Sequence, residues 1–136
     1  MRAVDTNVLV RLAVRDDDRQ VSIAEDFVAS GAWVSQLVLL EFVWVLTSVY
    51  SFGRSEVGSA VEILLNHAHL TIEESESVVA ALGQFRKAPA VAFSDCLILA
   101  AARKSGHLPL GTFDRDLGRL SGAEQLDRRR GRTPRI

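Results

Sequence analysis

The sequence predicts an α/β fold built around a parallel sheet, and three observations carry this prediction. Residues 2–10 form a short apolar run that ends at Asp5 and resumes after Thr6 and Asn7. A buried parallel strand that is followed directly by a helix typically has this pattern. Further short apolar runs then alternate with longer segments of helical periodicity. The length of 136 residues suits one domain with a substantial core.

The first half of the chain is predicted to contain two strands and three helices. In order, these are a strand ending at Asp5, a helix over 6–14, a helix from the acids at 16–18 to Ser30 and Gly31, a strand over 32–35 and a helix over 36–50. The three adjacent acids are interpreted as a helix cap and first turn, because carboxylates stabilise helix N-termini.

The second half is predicted to continue the same alternation. In order, we expect a helix capped by Ser55 after a break at Phe52 and Gly53, a strand over 70–72, a helix from the acids at 73, 74 and 76 to about residue 87, a helix capped by Ser94 and ended by Gly106, a strand from Leu108 that ends in Thr112-Phe113-Asp114, and a short helix. The segment near residue 125 is too short to assign.

Composition excludes several classes of protein. The chain is 48% hydrophobic and 24% charged, which is ordinary for a globular domain. The uncharged stretch over residues 31–40 is too short to span a bilayer. Asp5 interrupts the start of the chain, so we expect no signal peptide. Cys96 is the single cysteine, which fits a reducing cytoplasm and a role as a small buried apolar residue.

Charge is unevenly distributed along the chain. Up to Ala102 there are 7 Lys and Arg against 13 Asp and Glu, whereas from Arg103 onward there are 9 against 4. The basic end closes with five arginines between residues 128 and 135. Such tails are usually solvated and often contact nucleic acid. We therefore predict a folded domain over residues 1–126 and a basic tail over 127–136, with a merely solubilising tail as the alternative.

The segment 36–50 is predicted to be a helix that is apolar nearly all round, with Glu41 as its one charge. A buried lone carboxylate is unfavourable unless it is paired, protonated or bound to a cation, so Glu41 is a candidate functional residue. The alternatives are an exposed position or a pair with Arg11 or Arg15. A sheet covers only one side of such a helix, so we expect a homodimer interface on an outer face that includes Val43, with Glu41 pointing the other way.

Four acids in apolar contexts form the candidate site: Asp5, Glu41, Asp95 and Asp114. Asp5 and Asp114 each follow a predicted strand, and Asp95 lies in the first turn of a helix. In open α/β sheets, ligands bind beyond the carboxyl ends of the strands. Clustered carboxylates repel one another without a cation. Oxygen ligands without Cys or His suit Mg²⁺ or Mn²⁺, which typically act on phosphate substrates.

These segments resemble the PIN-domain ribonucleases, and more closely the VapC toxins of toxin–antitoxin pairs. The segments that carry the resemblance are Asp5-Thr6-Asn7-Val8-Leu9, the lone Glu41, Ser94-Asp95-Cys96-Leu97-Ile98 and Thr112-Phe113-Asp114-Arg115-Asp116-Leu117. The resemblance extends from Asp5 to about Leu126. It implies a three-layer α/β/α sandwich, an endoribonuclease dependent on Mg²⁺ or Mn²⁺, a homodimer, and a cognate VapB-like antitoxin that blocks the site.

Chemistry suggests a role for each residue of this pattern. Asp5, Asp95 and Asp114 would hold the metal, and Glu41 would complete the shell or orient the attacking water. Three further residues are auxiliary candidates: Asn7 as a donor that fixes Asp5 or as a structural turn residue, Thr112 as a phosphate donor or helix cap, and Asp116 as an additional acid or a plain helix-start residue.

Two other functional classes remain open at this point. An aspartyl phosphatase of the haloacid dehalogenase type also begins with a strand-end Asp, but it needs a second Asp where this chain has Asn7. A non-catalytic PIN-like RNA-binding module would not need the four acids. A metal titration distinguishes the second class from an enzyme.

Overall fold

The computed structural model describes residues 1–127, so the predicted basic tail lies outside the described residues from Arg128 onward. The elements are β1 (Arg2–Ala3), α1 (Thr6–Val14), α2 (Asp18–Val28), β2 (Ala32–Val34), α3 (Gln36–Ser48), α4 (Arg54–Leu65), β3 (Leu70–Ile72), α5 (Ser75–Lys87), α6 (Phe93–Lys104), β4 (Leu110–Thr112), α7 (Arg115–Gly118) and β5 (Ala123–Gln125).

The described strands pair in parallel throughout. β2 lies between β1 and β3, and β4 pairs separately with β5. Ala32 is opposite Arg2 on one side and Leu70 on the other. Helices connect the parallel strands, so the chain folds as a three-layer α/β/α sandwich. The predicted fold class is therefore confirmed, with very short strands arranged in two sheets of the described chain.

The core lies where the strands meet the inner faces of the helices. α1 packs against α2 and α3, α4 packs against α3 and α5, and α5 packs extensively against α6. The largest side chains that are less than 2% exposed include Phe42, Leu9 and Leu64. Cys96 is buried in this core, as predicted. No helix within residues 1–127 is long and apolar enough to cross a membrane.

Side-chain caps explain where most of the helices begin. The carboxylates of Asp5, Asp17 and Asp114 accept hydrogen bonds from the backbone N–H groups of Val8, Gln20 and Leu117, and Ser35 does the same for Val38. The cap predicted among the acids at 16–18 is thereby confirmed. Each of these residues stands just before its helix, so the local sequence determines the start.

Two predicted caps are wrong. α4 begins after Gly53 rather than Ser55, because the Glu56 carboxylate accepts a hydrogen bond from the Gly53 N–H at 2.9 Å. α6 begins after Ala92, which places Ser94 inside the helix. Asp95 nevertheless lies in the first turn of α6, as predicted.

The orientation of α3 also differs from the expectation. Its buried side chains are Leu39, Phe42, Val43 and Leu46. Val43 is only 9% exposed and belongs to the inner face, so the prediction that it lies on an outer face is wrong. The contacts of α3 with α1 and α4 select this face.

Candidate active site

Glu41 is connected to Asp5 through Thr6, the residue that follows Asp5 in the chain. Glu41 is exposed on α3, contrary to the expectation of burial, yet its Oε1 accepts a hydrogen bond from the Thr6 hydroxyl. Thr6 is only 7% exposed, so this donor is held in the core packing of α1. Glu41 makes no ion pair with Arg11 or Arg15, which pair instead with Asp16 and Glu25.

Asp95 and Asp114 form a second pair. Burial of the Asp95 carboxyl raises its pKa, and the nearby negative charge of Asp114 raises that pKa further. Within the described chain, the Asp95 carboxylate accepts no hydrogen bond that would compensate for this repulsion. Asp114 caps α7 through Oδ1, which accepts from the Leu117 N–H at 2.8 Å. Its Oδ2 remains available to a ligand.

The three auxiliary candidates differ in their surroundings. Asn7 is exposed and, with Asp5, lines a cleft of about 610 Å³ between α1 and α2; no described residue bonds to its side chain. The Thr112 hydroxyl accepts a hydrogen bond from the Asp114 N–H at 3.0 Å, which fixes the turn that presents Asp114. Asp116 forms an ion pair with Arg119 at 3.5 Å.

The structure thus groups the four acids as two pairs. Among residues 1–127, no three His, Cys, Asp or Glu side chains stand close enough together to hold a metal ion. Thr6 connects Asp5 and Glu41, because it follows Asp5 in the chain and donates a hydrogen bond to Glu41. Asp95 and Asp114 are related by charge, because the negative charge of Asp114 raises the pKa of Asp95. Every member has at least one carboxylate oxygen without a hydrogen bond from the described residues.

Sequence reasoning missed Thr6 and Arg54. Thr6 follows Asp5 directly, and its small hydroxyl on an otherwise apolar helix face was a signal that could have been used. Arg54 donates hydrogen bonds to the carbonyls of Phe85, Ala88 and Val91 at 2.7, 3.0 and 2.8 Å. Its guanidinium also stacks over the Phe85 ring at 3.9 Å. Arg54 therefore anchors the segment that leads into α6 and Asp95. No sequence pattern predicted this interaction.

Comparison with known proteins gives one match. The family model described as the PIN domain matches residues 2–123. No curated protein and no solved structure matches the chain. The family match covers most of the chain, including both pairs of acids, and agrees with the parallel α/β architecture. The chain belongs to the PIN-domain family.

Proposed function

We propose that this protein is a metal-dependent endoribonuclease that hydrolyses RNA phosphodiester bonds. PIN domains are generally nuclease modules and typically use divalent metal ions. The observation that carries the proposal is the half-buried Asp95 carboxylate, which has no hydrogen-bond donor or ion-pair partner among residues 1–127 and lies near the carboxylate of Asp114 at the start of α7. Family membership removes the haloacid dehalogenase alternative.

The donor set fits Mg²⁺ or Mn²⁺. All four candidate ligands are carboxylates, which these hard cations prefer. Mg²⁺ usually retains several waters and is bound through only one or two carboxylates, so a pair such as Asp95 and Asp114 supplies an adequate anchor. We assign the metal to Asp95 and Asp114 as direct ligands and to Asp5 through a coordinated water, because no three acids of the described chain stand close enough together to hold the ion directly. When bound, the metal would lower the pKa of a coordinated water and polarise the phosphate.

The residues of the chain have the following roles in this proposal. The Thr6 hydroxyl donates a hydrogen bond to Oε1 of Glu41. Oε2 of Glu41 then accepts a hydrogen bond from the attacking water, which orients that water, and afterwards accepts its proton. Thr6 is accordingly a positioning residue. The cap on α7 and the Thr112 turn hold the Asp114 carboxylate in place before substrate binds. Asn7 lies beside Asp5 on an open cleft, where its amide can donate to a phosphate oxygen.

The finer assignment is a VapC-like toxin of the cytoplasm, controlled by a VapB-like antitoxin and acting as a homodimer. The order of Asp5, Glu41, Asp95 and Asp114 in a chain of 136 residues supports it. Co-expression with the product of a neighbouring small reading frame tests the antitoxin. Relief of growth arrest by that product is expected, and growth that is normal without it would contradict the toxin role.

Cleavage of single-stranded RNA by the purified protein tests the enzymatic part. We expect cleavage in Mg²⁺ or Mn²⁺, none with a chelator, and none by the Asp5→Asn or Asp95→Asn variant. Asp26→Asn is the matched control, because Asp26 is an exposed acid on α2 outside the candidate site. RNA binding without cleavage under all of these conditions would favour the non-catalytic PIN-like module.

A further inference from the structure

Two open surfaces of the described chain differ in the polar groups that line them. On α3, Leu37, Glu41 and Trp44 share one face, with Leu37 81% and Trp44 62% exposed. The expectation that Glu41 points away from the open apolar face is therefore wrong, and no described element covers this face. A cleft between α5 and α6 instead contains a buried hydroxyl without a partner, that of Ser77, which points to a ligand.

The cleft between α5 and α6 has a volume of about 310 Å³. Its most buried lining residues are Ser77 of α5 and Cys96 of α6, which are only 4% and 1% exposed. None of the four candidate acids lines it, although Cys96 directly follows Asp95. The cleft is therefore separate from the candidate active site, and an inference about it does not depend on the hydrolysis of RNA.

The Ser77 hydroxyl makes no hydrogen bond with the described residues. Every fully enclosed side-chain nitrogen or oxygen of the described chain has a hydrogen-bond partner. The small part of Ser77 that stays accessible therefore includes its hydroxyl, which faces the cleft. A polar group that is largely buried without a partner is unfavourable, so a ligand that supplies the missing hydrogen bond gains affinity there.

The charges at the mouth of the cleft are balanced. The Nζ of Lys104 forms ion pairs with the carboxylates of Glu74 and Glu76 at 2.8 and 3.3 Å. Arg103 donates a hydrogen bond to the Ser121 carbonyl at 2.6 Å. The two glutamates offset the formal charges of Lys104 and Arg103. An ionic ligand would therefore lose water in the cleft without finding an unmatched counter-charge, which favours a neutral ligand.

We propose that this cleft binds a small neutral organic molecule that has an apolar body and one hydrogen-bonding head. The body packs against Ala80, Leu99 and Ala100, and the head exchanges a hydrogen bond with the Ser77 hydroxyl. The side-chain amide of Gln84, which makes no hydrogen bond with the described residues, offers a second polar contact. The volume lies at the lower end of the range for small-molecule sites.

The single cysteine permits a direct test on the full-length protein without metal or RNA. Methyl methanethiosulfonate transfers its methylthio group to Cys96: a disulfide forms, methanesulfinate leaves and the thiol proton passes to solvent. Intact mass measures the rate. Benzamide, which has an apolar ring and a neutral amide head, should slow this labelling in a saturable manner. Benzoate, which has the same shape and a charge, should not.

The hydroxyl is tested by Ser77→Ala, which should raise the half-protecting concentration of benzamide by roughly 2- to 10-fold. Ser75→Ala is the matched control, because Ser75 is an exposed serine of α5 outside the cleft lining. Protection by benzoate equal to that by benzamide, or the same half-protecting concentration in Ser77→Ala and the wild type, would overturn the inference.

Saturation-transfer NMR of benzamide provides a second measurement that needs no access of a reagent to Cys96. The wild type should give a signal that Ala80→Phe removes, because the larger side chain occupies the cleft. Val79→Phe should retain the signal, since Val79 is 58% exposed next to Ala80 but does not line the cleft. No signal from the wild type, or equal signals from the two variants, would overturn the inference.

Discussion

The two pairs of acids have the same formal charge, but their carboxylates differ in the hydrogen-bond donors and charges that surround them. Glu41 accepts a hydrogen bond from the buried Thr6 hydroxyl, and Asp5 accepts one from the Val8 N–H at 3.3 Å. Asp95 is half-buried without such a donor and faces the charge of Asp114, which contributes to the raised pKa of Asp95. Both acids of the Asp5–Glu41 pair thus have a neutral donor, whereas in the other pair only Asp114 has one, the Leu117 N–H, and Asp95 remains under repulsion.

This difference indicates where a cation would contribute most. A carboxylate that already has a hydrogen-bond donor gains less from a metal than one that is desolvated beside a like charge. We therefore expect the Asp95–Asp114 pair to provide most of the metal affinity. The Asp5–Glu41 pair, held by Thr6, would mainly orient the reacting groups.

Loss of a charge in the Asp95–Asp114 pair should have the largest effect. Asp95→Asn or Asp114→Asn should reduce metal-dependent RNA cleavage by about 100- to 1000-fold. Without metal, Asp95→Asn should stabilise the fold by up to about 1 kcal/mol, because it relieves repulsion at a partly solvated site. Cleavage assays and urea unfolding in a chelator measure the two effects. An Asp95→Asn protein that is less stable than Asp26→Asn in chelator would contradict the repulsion.

Removal of Arg54 should disturb the Asp95–Asp114 pair indirectly, through the segment that leads into α6. Arg54→Met should lower the free energy of unfolding by about 1.5–3 kcal/mol, because three carbonyls lose a charged donor. Arg86→Met is the control, since Arg86 makes an exposed ion pair with Glu62 at 3.1 Å. Metal affinity should fall with Arg54→Met alone. Equal destabilisation by the two variants would remove the special role of Arg54.

The Thr6–Glu41 hydrogen bond can be removed with little change in shape. Thr6→Val should reduce the catalytic rate about 10-fold with little change in metal affinity, because Glu41 loses its orienting donor. Thr6→Ser retains the hydroxyl and should restore the rate. Single-turnover kinetics and a metal titration separate these effects. A Thr6→Val enzyme with unchanged rate would show that Glu41 needs no such support.

The smallest effect is expected from the basic tail, which lies outside the described residues. Truncation after Asp127 removes five arginines and should weaken RNA binding at low salt. The logarithm of the binding constant should also depend less steeply on the logarithm of salt concentration, by about 0.7 for each phosphate that the arginines no longer neutralise. Filter binding over a range of salt concentrations measures this slope. An unchanged slope would indicate that the tail does not contact RNA and serves only to increase solubility.

Local sequence predicted the fold well because the relevant signals are local. The acids at 16–18, the helical periodicity and the short apolar runs predicted most element boundaries to within a few residues. Ser94 failed as a cap because the start of α6 depends on the preceding segment, which Arg54 anchors from a distant helix. The spacing of apolar residues could not predict which face of α3 is buried, since a helix that is apolar nearly all round has several apolar faces.

The candidate site was predicted only as a set of residues. Its acids could be selected because each is a lone charge in an apolar context. Their division into two pairs could not be foreseen, because the Thr6–Glu41 hydrogen bond joins residues 35 positions apart. The exposure of Glu41 beside Trp44 follows from the packing of α3 on α1 and α4, which is likewise a long-range property.

The central claim is that the two pairs serve a single divalent-metal site, and calorimetric titration with Mn²⁺ tests it most directly. We expect saturable binding to the wild type and to Asp26→Asn. We expect an affinity at least about 10-fold lower for Asp95→Asn and for Asp5→Asn, one variant from each pair, with the larger loss in Asp95→Asn. Indistinguishable Mn²⁺ isotherms for the wild type and both of these variants would contradict it.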